Sequence, residues 1–402
     1  MTIAAESPRA GAKALPMRSI LHVNRVGYIG GVERVILTLA REMEHAGFRG
    51  ALACPGGGEL IASAERLGIV SEALTIDRSR ATYNPLAIIR YAKALAAGSR
   101  QIEAFACRVD AKLIHVHHPI GAWYARRASK SLGIPLLLHV HEIRPAKPLY
   151  RWTLRRVAPW ISAYACVSGA GRDLLNDIVR PDPAIVSIQH NGISADFGTV
   201  DPALPPEVTG PGPHIGVFGV IEPRKGQHVF LEAAAKLAAR YPTAHFWIVG
   251  PLALADKQAY HRRLVAMAES EGLRGRVTFA GFQANVSAWM RAMDVVTLTS
   301  VAHESLSMVL LESLTLGRPT IASEVGGARE VINDGVTGLI VPPGQADALS
   351  EAITSILEGR YPNMPRLAAE DAAQRFSGAS FRNRFAELYA RIIHNFERTA
   401  KQ

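Results

Sequence analysis

The chain has 402 residues, of which 48% are hydrophobic and 20% are charged. This length is typical of two domains, and the composition is that of a soluble globular protein with a large core. The chain has no run of 18 apolar residues, so we predict no transmembrane helix. The three cysteines, at positions 54, 107 and 166, form no metal or redox pattern and fit a reduced cytoplasmic setting.

The net charge of +10 and the pI of about 9.7 suit three partners: nucleic acid, an anionic membrane or a phosphorylated substrate. Nucleic acid fits poorly, because the chain has no recognisable binding motif and no block of five like charges. Segments 90–112 and 149–160 mix basic with aromatic and apolar residues. Such mixtures can lie on anionic lipid, although half-buried helices with solvated basic faces have the same composition.

Residues 1–17 lack the apolar core of a secretory signal, so we expect a flexible tail. A buried strand is then predicted over 18–24, and an apolar stripe predicts a helix over 34–48. The turn between them contains Gly30 and Gly31, which let the backbone approach a ligand closely. On its own, a glycine pair is equally typical of a tight turn.

Histidines are frequent near the ends of two further predicted strands. They are His115, His117, His118, His139 and His141. Because their spacings match no zinc signature, we predict no metal site. His141 ends a strongly apolar strand, and at the carboxyl end of a parallel strand its side chain is expected to point into the ligand crevice. Glu142 is a secondary candidate for the same crevice.

Proline and glycine dominate residues 201–213, which we predict to be a linker between domains at 18–200 and 214–379. The second half then repeats the order strand, glycine turn, helix and strand, which predicts two doubly wound parallel-sheet domains. Lys225 precedes Gly226 at a loop–helix junction, where a compact cation could neutralise a diphosphate. A Lys–Gly pair is otherwise a common surface turn.

Residues 294–327, DVVTLTSVAHESLSMVLLESLTLGRPTIASEVGG, predict a strand, a loop, a helix starting near Ser305 and a second strand. A helix start binds phosphate through its free N–H groups. Glu304 lies just before that start and Glu312 about two turns in, roughly 12 Å further along. The arrangement suits a nucleotide sugar, with the hexose at Glu304 and the ribose at Glu312. An ordinary helix with two solvated glutamates is the alternative.

The stretches ESLSMVLLESLTLGRPTIAS and EVGGAREVINDGVTGLIVPPG closely resemble the donor-binding block of retaining GT-B glycosyltransferases of family 4. The resemblance covers residues 18 to 396 and implies two Rossmann-like domains facing across a cleft, with a final helix, about 380–402, crossing back to the first domain. It also implies that Glu304 contacts the donor sugar and Glu312 the ribose. Backbone groups of the following residues would meet the sugar and phosphates: Ser305, Leu306, Ser307, Met308 and Val309.

The same resemblance assigns roles elsewhere in the chain. Gly30 and Gly31 would face the donor diphosphate and the acceptor, and His141 would lie near the transferred sugar. Lys225 would bind the diphosphate, and Phe282 would lie near the nucleotide base. Catalysis would then rest on Glu304, Lys225 and His141, with no metal and no cofactor besides the nucleoside diphosphate sugar.

The sequence departs from this family at one phosphate-binding position. The usual pattern is Gly-Arg-Leu, three residues, then Lys-Gly, whereas this chain has Val220 where the arginine is expected. Either Arg224 or another cation substitutes, or donor binding is weakened, because valine cannot grip phosphate. A non-catalytic nucleotide-sugar-binding partner of another transferase therefore stays an alternative. A GT-B isomerase or phosphorylase is a further alternative, because such enzymes are built on the same fold.

From these observations we expect a retaining, metal-independent transfer of a hexose to a glycan or lipid-diphosphate-linked acceptor, as in bacterial cell-surface polysaccharide or glycoconjugate synthesis. We expect a cytoplasmic protein with possible peripheral contact at the inner membrane face, and no nucleic-acid partner.

Overall fold

A computed structural model describes residues 17–75, 84–141, 148–199, 205, 207–208, 210–252, 258–302 and 304–400. Most of the predicted tail, Glu142 and part of the predicted linker lie outside these residues. Within them, the chain forms two parallel sheets with helices on both faces. None of the helices in this part of the chain is both long and apolar enough to span a bilayer.

The first sheet has the strand order β3-β2-β1-β4-β5-β6-β7, and all its described pairings are parallel. Its strands are β1 Arg18–Val23, β2 Phe48–Pro55, β3 Val70–Leu74, β4 Ala111–Val116, β5 Leu136–Val140, β6 Ala163–Cys166 and β7 Val186–Ile188. The helices between them are α1 Gly31–Glu42, α2 Glu59–Arg66, α3 Pro85–Arg108, α4 Pro119–Leu132, α5 Pro148–Val157 and α6 Gly169–Ile178.

The second sheet has the order β10-β9-β8-β11-β12-β13 and is also parallel. Its strands are β8 His214–Phe218, β9 His245–Val249, β10 Val277–Gly281, β11 Val295–Leu298, β12 Thr320–Ser323 and β13 Leu339–Val341. Its helices are α7 Gln227–Arg240, α8 Gln258–Ala268, α9 Val286–Arg291, α10 Met308–Thr315, α11 Ala328–Val331, α12 Ala346–Leu357 and α13 Met364–Arg375.

The last helix, α14 Gly378–Ala400, crosses back to the first domain, as predicted. Its apolar stripe, which includes Phe381, Phe385 and Tyr389, is fully buried. These side chains share one core with Ile20 of β1 and Leu39 of α1. Burying a stripe of large aromatic and aliphatic side chains stabilises this docking by several kcal/mol, at about 25 cal/mol per Å² of apolar surface. The helix therefore ties the end of the chain to the domain at its beginning.

The helix predicted from Ser305 begins three residues later, at Met308. Ser307 is extended, and the carbonyl of Ser305 accepts the backbone N–H of Gly327 at 2.8 Å instead of an intrahelical bond. This contact requires the glycine turn beside it, because a side chain at Gly326 would meet the carbonyl of Glu304 at 1.6 Å. Competition from this loop pairing explains the late start of α10.

Candidate active site in the cleft between the domains

Glu304 and Lys225 lie side by side at the carboxyl ends of neighbouring strands. Lys225 follows β8 and Glu304 follows β11, which pair in the sheet. The ammonium of Lys225 donates to Glu304 Oε2 at 2.6 Å, and both side chains are about seven-eighths buried. Ser300 donates to the same oxygen at 3.0 Å. A carboxylate and a cation are thus held together directly before α10.

Three donors keep Glu304 ionised despite its burial. Burial on its own raises the pKa of the carboxyl, but the charges of Lys225 and Arg224 and the hydrogen bonds from Lys225 and Ser300 hold that pKa below its ordinary value. Glu304 is therefore a carboxylate at neutral pH and can accept hydrogen bonds from hydroxyl groups.

Arg224 lies beside the same carboxylate and is the nearest cation along the chain to Val220. Its Nη1 donates to Glu304 at 3.3 Å, and its Nη2 donates to Glu222 at 2.6 Å. Val220 itself is 39% exposed. Of the two alternatives left by the valine, the geometry favours substitution by Arg224, because this guanidinium already faces the site.

The glycine turn of the first domain faces the start of α10. Gly31 begins α1, and a side chain there would approach Met308 Cγ to 3.6 Å. The N–H of Gly30 is held by Glu33 Oε2 at 3.0 Å. Two helix starts thus oppose each other across the cleft, within about one side chain's reach.

Glu312 is buried but paired with a residue of the other domain. Arg34 of α1 donates to its Oε1 at 3.3 Å. Burial raises the pKa of Glu312, and the nearby Arg34 charge opposes that rise. Both side chains line a cleft of about 750 Å³, together with Met308 and the 64%-exposed Phe282. The structure therefore brings the predicted ribose and base residues into one cavity.

His141 lies one residue beyond β5, at the predicted strand end. Its Nε2 contacts Nδ1 of His117 at 3.0 Å, and its ring lies tilted against that of His139 with 3.8 Å between centroids. Burial lowers the pKa of His141 to about 3, so the ring is neutral at pH 7. Its predicted role beside the transferred sugar stays a prediction.

The structure gathers more histidines than the strand-end pattern indicated. His22 on β1 contacts His117 at 3.0 Å, and His22, His115 and His117 form one group of nitrogen atoms within 4.8 Å of one another. His117, His139 and His141 form a second such group. Spacing along each single strand gives no zinc signature, whereas β1, β4 and β5 are neighbours in the sheet and bring their histidines together.

A polar contact between the domains was not predicted from the sequence. Glu330 of α11 accepts the N–H of Gly169, at the start of α6, at 2.8 and 2.9 Å. Its Oε2 also lies 2.9 Å from His190 Nε2. Nothing in the sequence near Glu330 points to a partner 161 residues away.

Comparison with known proteins finds a family match for each half of the chain. The sequence model of the family "Glycosyl transferases group 1" matches residues 208–375, and that of "Glycosyltransferase Family 4" matches residues 29–197. The chain is 31% identical over 302 residues to D-inositol 3-phosphate glycosyltransferase of Mycobacterium sp. (strain JLS), covering 71% of this chain and 67% of that protein. It is 28% identical over 316 residues to alpha-D-kanosaminyltransferase of Streptomyces kanamyceticus, covering 69% and 77%.

Solved structures agree on the fold. Anabaena Alr3699/HepE in complex with UDP-glucose superposes with a TM-score of 0.76 at 23% identity, covering 92% of this chain and 99% of that one. Sucrose-phosphate synthase from Thermosynechococcus elongatus gives 0.75 at 18% identity, covering 94% and 100%. With the two parallel-sheet domains and the cleft between them, these matches show that the chain belongs to the group 1 glycosyltransferases of family 4 and has the GT-B fold.

Proposed function

We propose that this enzyme transfers a hexose from a nucleoside diphosphate sugar to an acceptor hydroxyl with retention of anomeric configuration. The observation that carries this proposal is the grip of Lys225 and Arg224 on Glu304 directly before α10. A cation pair beside a helix start suits a diphosphate, and an ionised carboxylate suits sugar hydroxyls. Anabaena Alr3699/HepE, which shares the fold, was solved in complex with UDP-glucose, and this supports a nucleotide sugar as donor.

Donor binding would exchange one set of partners for another. The diphosphate takes the ammonium of Lys225, the guanidinium of Arg224 and the free N–H groups at the start of α10. Glu304, relieved of part of its ion pairing, accepts hydroxyl groups of the hexose. Glu312 accepts the ribose hydroxyls and Phe282 lies against the base. Of these proposed partners, Glu312 and Phe282 line the cleft.

The chemistry follows from where charge develops. As the bond between the anomeric carbon and the phosphate oxygen breaks, negative charge grows on the diphosphate, and Lys225 and the α10 N–H groups stabilise it. The acceptor oxygen attacks on the face from which the diphosphate leaves, and the departing phosphate takes the acceptor proton. Retention results without a glutamate pair acting as general acid and base. His141 supports the acceptor side.

Protein cations fill the role that a divalent ion has in other phosphate sites, so we expect the donor site to work without Mg²⁺ or Mn²⁺. Initial rates should agree within a few-fold with and without these ions, measured during brief exposure to a chelator. A rate that collapses in chelator and recovers only with Mg²⁺ or Mn²⁺ would refute this part of the proposal.

We further propose a glycan or lipid-diphosphate-linked acceptor reached from the cytoplasmic membrane face, in cell-surface polysaccharide or glycoconjugate synthesis. Exposed apolar side chains support it: Leu86, Ile88 and Ile89 at the start of α3, and Leu149 and Trp152 on α5. Both helices pack against α4, and Trp152 stacks on Trp123 of α4. Sedimentation with phosphatidylglycerol vesicles at low salt tests the contact; equal binding to neutral vesicles or none at all removes its support.

The function is tested first by binding, then by turnover. Thermal shift against UDP-, GDP-, ADP- and dTDP-sugars should show one selective rise, because a ligand that binds only the native state stabilises it. Hydrolysis or transfer of that donor then establishes an enzyme. Binding of the donor at micromolar affinity with no cleavage or transfer would instead favour the non-catalytic partner.

A further inference from the structure

Five histidine rings form a compact cluster in the first domain, here called the histidine cluster. It comprises His22 on β1, His115 on β4, His117 and His141 just beyond β4 and β5, and His139 on β5. His115 and His117 stack with centroids 4.2 Å apart, and the rings of His139 and His141 are tilted with centroids 3.8 Å apart. Side chains of α14 cover one side of it, including Phe385 and Tyr389. The cluster therefore extends from the core of the domain to the strand ends.

The cluster has more buried nitrogen atoms than partners for them. His139 is 1% exposed, and neither of its ring nitrogens has a hydrogen-bond partner. A neutral imidazole carries one donor nitrogen and one acceptor nitrogen, and in His139 both go unsatisfied. Buried polar groups in native proteins are nearly always paired. A ligand that takes a nitrogen lone pair would supply one of the two partners that His139 lacks.

We propose that His117, His139 and His141 bind one transition-metal ion, with Zn²⁺ the leading candidate. One ring nitrogen from each residue lies within 4.8 Å of the others. Nδ1 of His117 and Nε2 of His141 are 3.0 Å apart. Around a tetrahedral zinc ion with Zn–N bonds of about 2.0–2.1 Å, two nitrogens lie about 3.3–3.4 Å apart. Small shifts of these side chains would therefore accommodate the ion.

The outer contacts orient the rings for this task. Nε2 of His117 contacts Nδ1 of His22 at 3.0 Å. When that Nε2 carries the proton and donates it to His22, the Nδ1 lone pair of His117 is free for the ion. A hydrogen bond on the far nitrogen is the usual way in which proteins fix a metal-binding histidine. In this arrangement His22 holds a ligand in place without touching the metal.

The alternative group, formed by His22, His115 and His117, suits an ion less well. All three of its rings are buried. In the proposed group His141 is partly exposed at the end of β5, which gives an ion a path of entry. The fourth coordination position then lies on the side of the strand ends, where water or an anionic ligand can occupy it.

A set of three imidazoles selects among metals by chemistry. Imidazole suits Zn²⁺, Cu²⁺ and Ni²⁺, whereas Mg²⁺ and Ca²⁺ prefer oxygen ligands. The proposal is therefore independent of any ion at the donor site, where the ligands would be phosphate oxygens. Loss of this ion would loosen the ends of β4 and β5, which carry the ligands, and would lower the thermal midpoint.

The test uses the full chain produced without a histidine tag and stripped by chelator. After incubation with ZnCl₂ and gel filtration, elemental analysis should find about one zinc per chain. CoCl₂ should give the visible absorption of a tetrahedral nitrogen site, and either ion should raise the thermal midpoint. Retention of less than about one ion per ten chains, with no cobalt spectrum, overturns the proposal.

His139→Phe keeps a ring of similar size and removes both nitrogens. It should lose the bound zinc and the cobalt spectrum, while its metal-free form melts at or above the wild-type metal-free temperature because the orphaned nitrogens are gone. His394→Phe, at an exposed histidine of α14, is the matched control and should keep one ion. Should His139→Phe fail to fold, His141→Phe at the partly exposed strand end gives the same readout. The assignment to these three ligands would be overturned if His139→Phe or His141→Phe retained one ion while His22→Phe lost it.

Discussion

The ion pair of Lys225 and Glu304 allows the structural and catalytic roles of one contact to be separated. The two groups are 2.6 Å apart and their side chains are 12% and 13% exposed. Breaking a buried pair by removing one partner costs about 3–5 kcal/mol. In Lys225→Ala the carboxylate keeps Arg224 at 3.3 Å and Ser300 at 3.0 Å. We therefore expect the unfolding free energy to fall by about 3 kcal/mol, the lower end of that range.

The double variant Lys225→Ala/Glu304→Gln removes both charges. No buried carboxylate is left without its main partner, so we expect the unfolding free energy to return to within about 1 kcal/mol of wild type. Transfer should stay low, because neither the cation for the leaving diphosphate nor the carboxylate for the sugar is restored. Each single variant and the double variant should lose on the order of 10²-fold or more in kcat.

Urea denaturation gives the stabilities, and initial rates of sugar transfer give the turnover. Lys236→Ala is the matched control, because Lys236 forms an ion pair of the same 2.6 Å with Asp347 but at 49% and 75% exposure. An exposed pair contributes at most about 1 kcal/mol, and this variant should transfer at the wild-type rate. The reasoning is refuted if Lys225→Ala turns over within a few-fold of wild type, or if the double variant regains activity together with stability.

Three further outcomes follow from the described contacts. Arg34→Met should leave Glu312 without its cation across the cleft and so lower the thermal midpoint measured by scanning fluorimetry. Adding Glu312→Gln should recover most of that loss. Additive losses from the two substitutions would contradict the pairing. Glu330→Ala should increase proteolytic cleavage between the domains, because the start of α6 loses its acceptor. Glu330→Gln should have a smaller effect. Equal cleavage of the wild type and both variants would refute this contact. Because the pKa of Glu304 is lower in the folded state, the stability that its charge contributes is fully present above the ordinary pKa of 4.5 and is lost as the pH falls below it. The difference in stability between the wild type and Glu304→Gln should therefore shrink in that acid range. A constant difference would be inconsistent with the ion pair.

Much of the site was predictable because parallel α/β topology converts local order into spatial proximity. Lys225 and Glu304 are 79 residues apart, yet each follows a buried strand. Strands that carry glycine turns and helices at their carboxyl ends gather those ends along one edge. The same rule places Gly31 and Met308 each after the carboxyl end of a strand in its own sheet. Glycine, lysine and glutamate at such ends therefore became informative once the resemblance to the family gave them roles.

Contacts that depend on register or on domain orientation could not be predicted in this way. His22 lies directly beside His115 because β1 and β4 pair in that register, which a single strand's alternation does not reveal. The Glu330 and Arg34 contacts depend on how the two domains meet. The start of α10 was misplaced because a backbone pairing of Ser305 with Gly327, far along the chain, outweighed the local helical pattern.

The distribution of these contacts between the domains indicates how the site is divided. All the described partners of Glu304 come from the second domain: Ser300, Arg224 and Lys225. The cations proposed for the diphosphate therefore belong to a single domain. Glu312, in contrast, takes its cation from α1 of the first domain, so the arrangement around the predicted ribose site depends on domain position. Donor charge would then be recognised by one domain, and the fit of the whole nucleotide sugar by both.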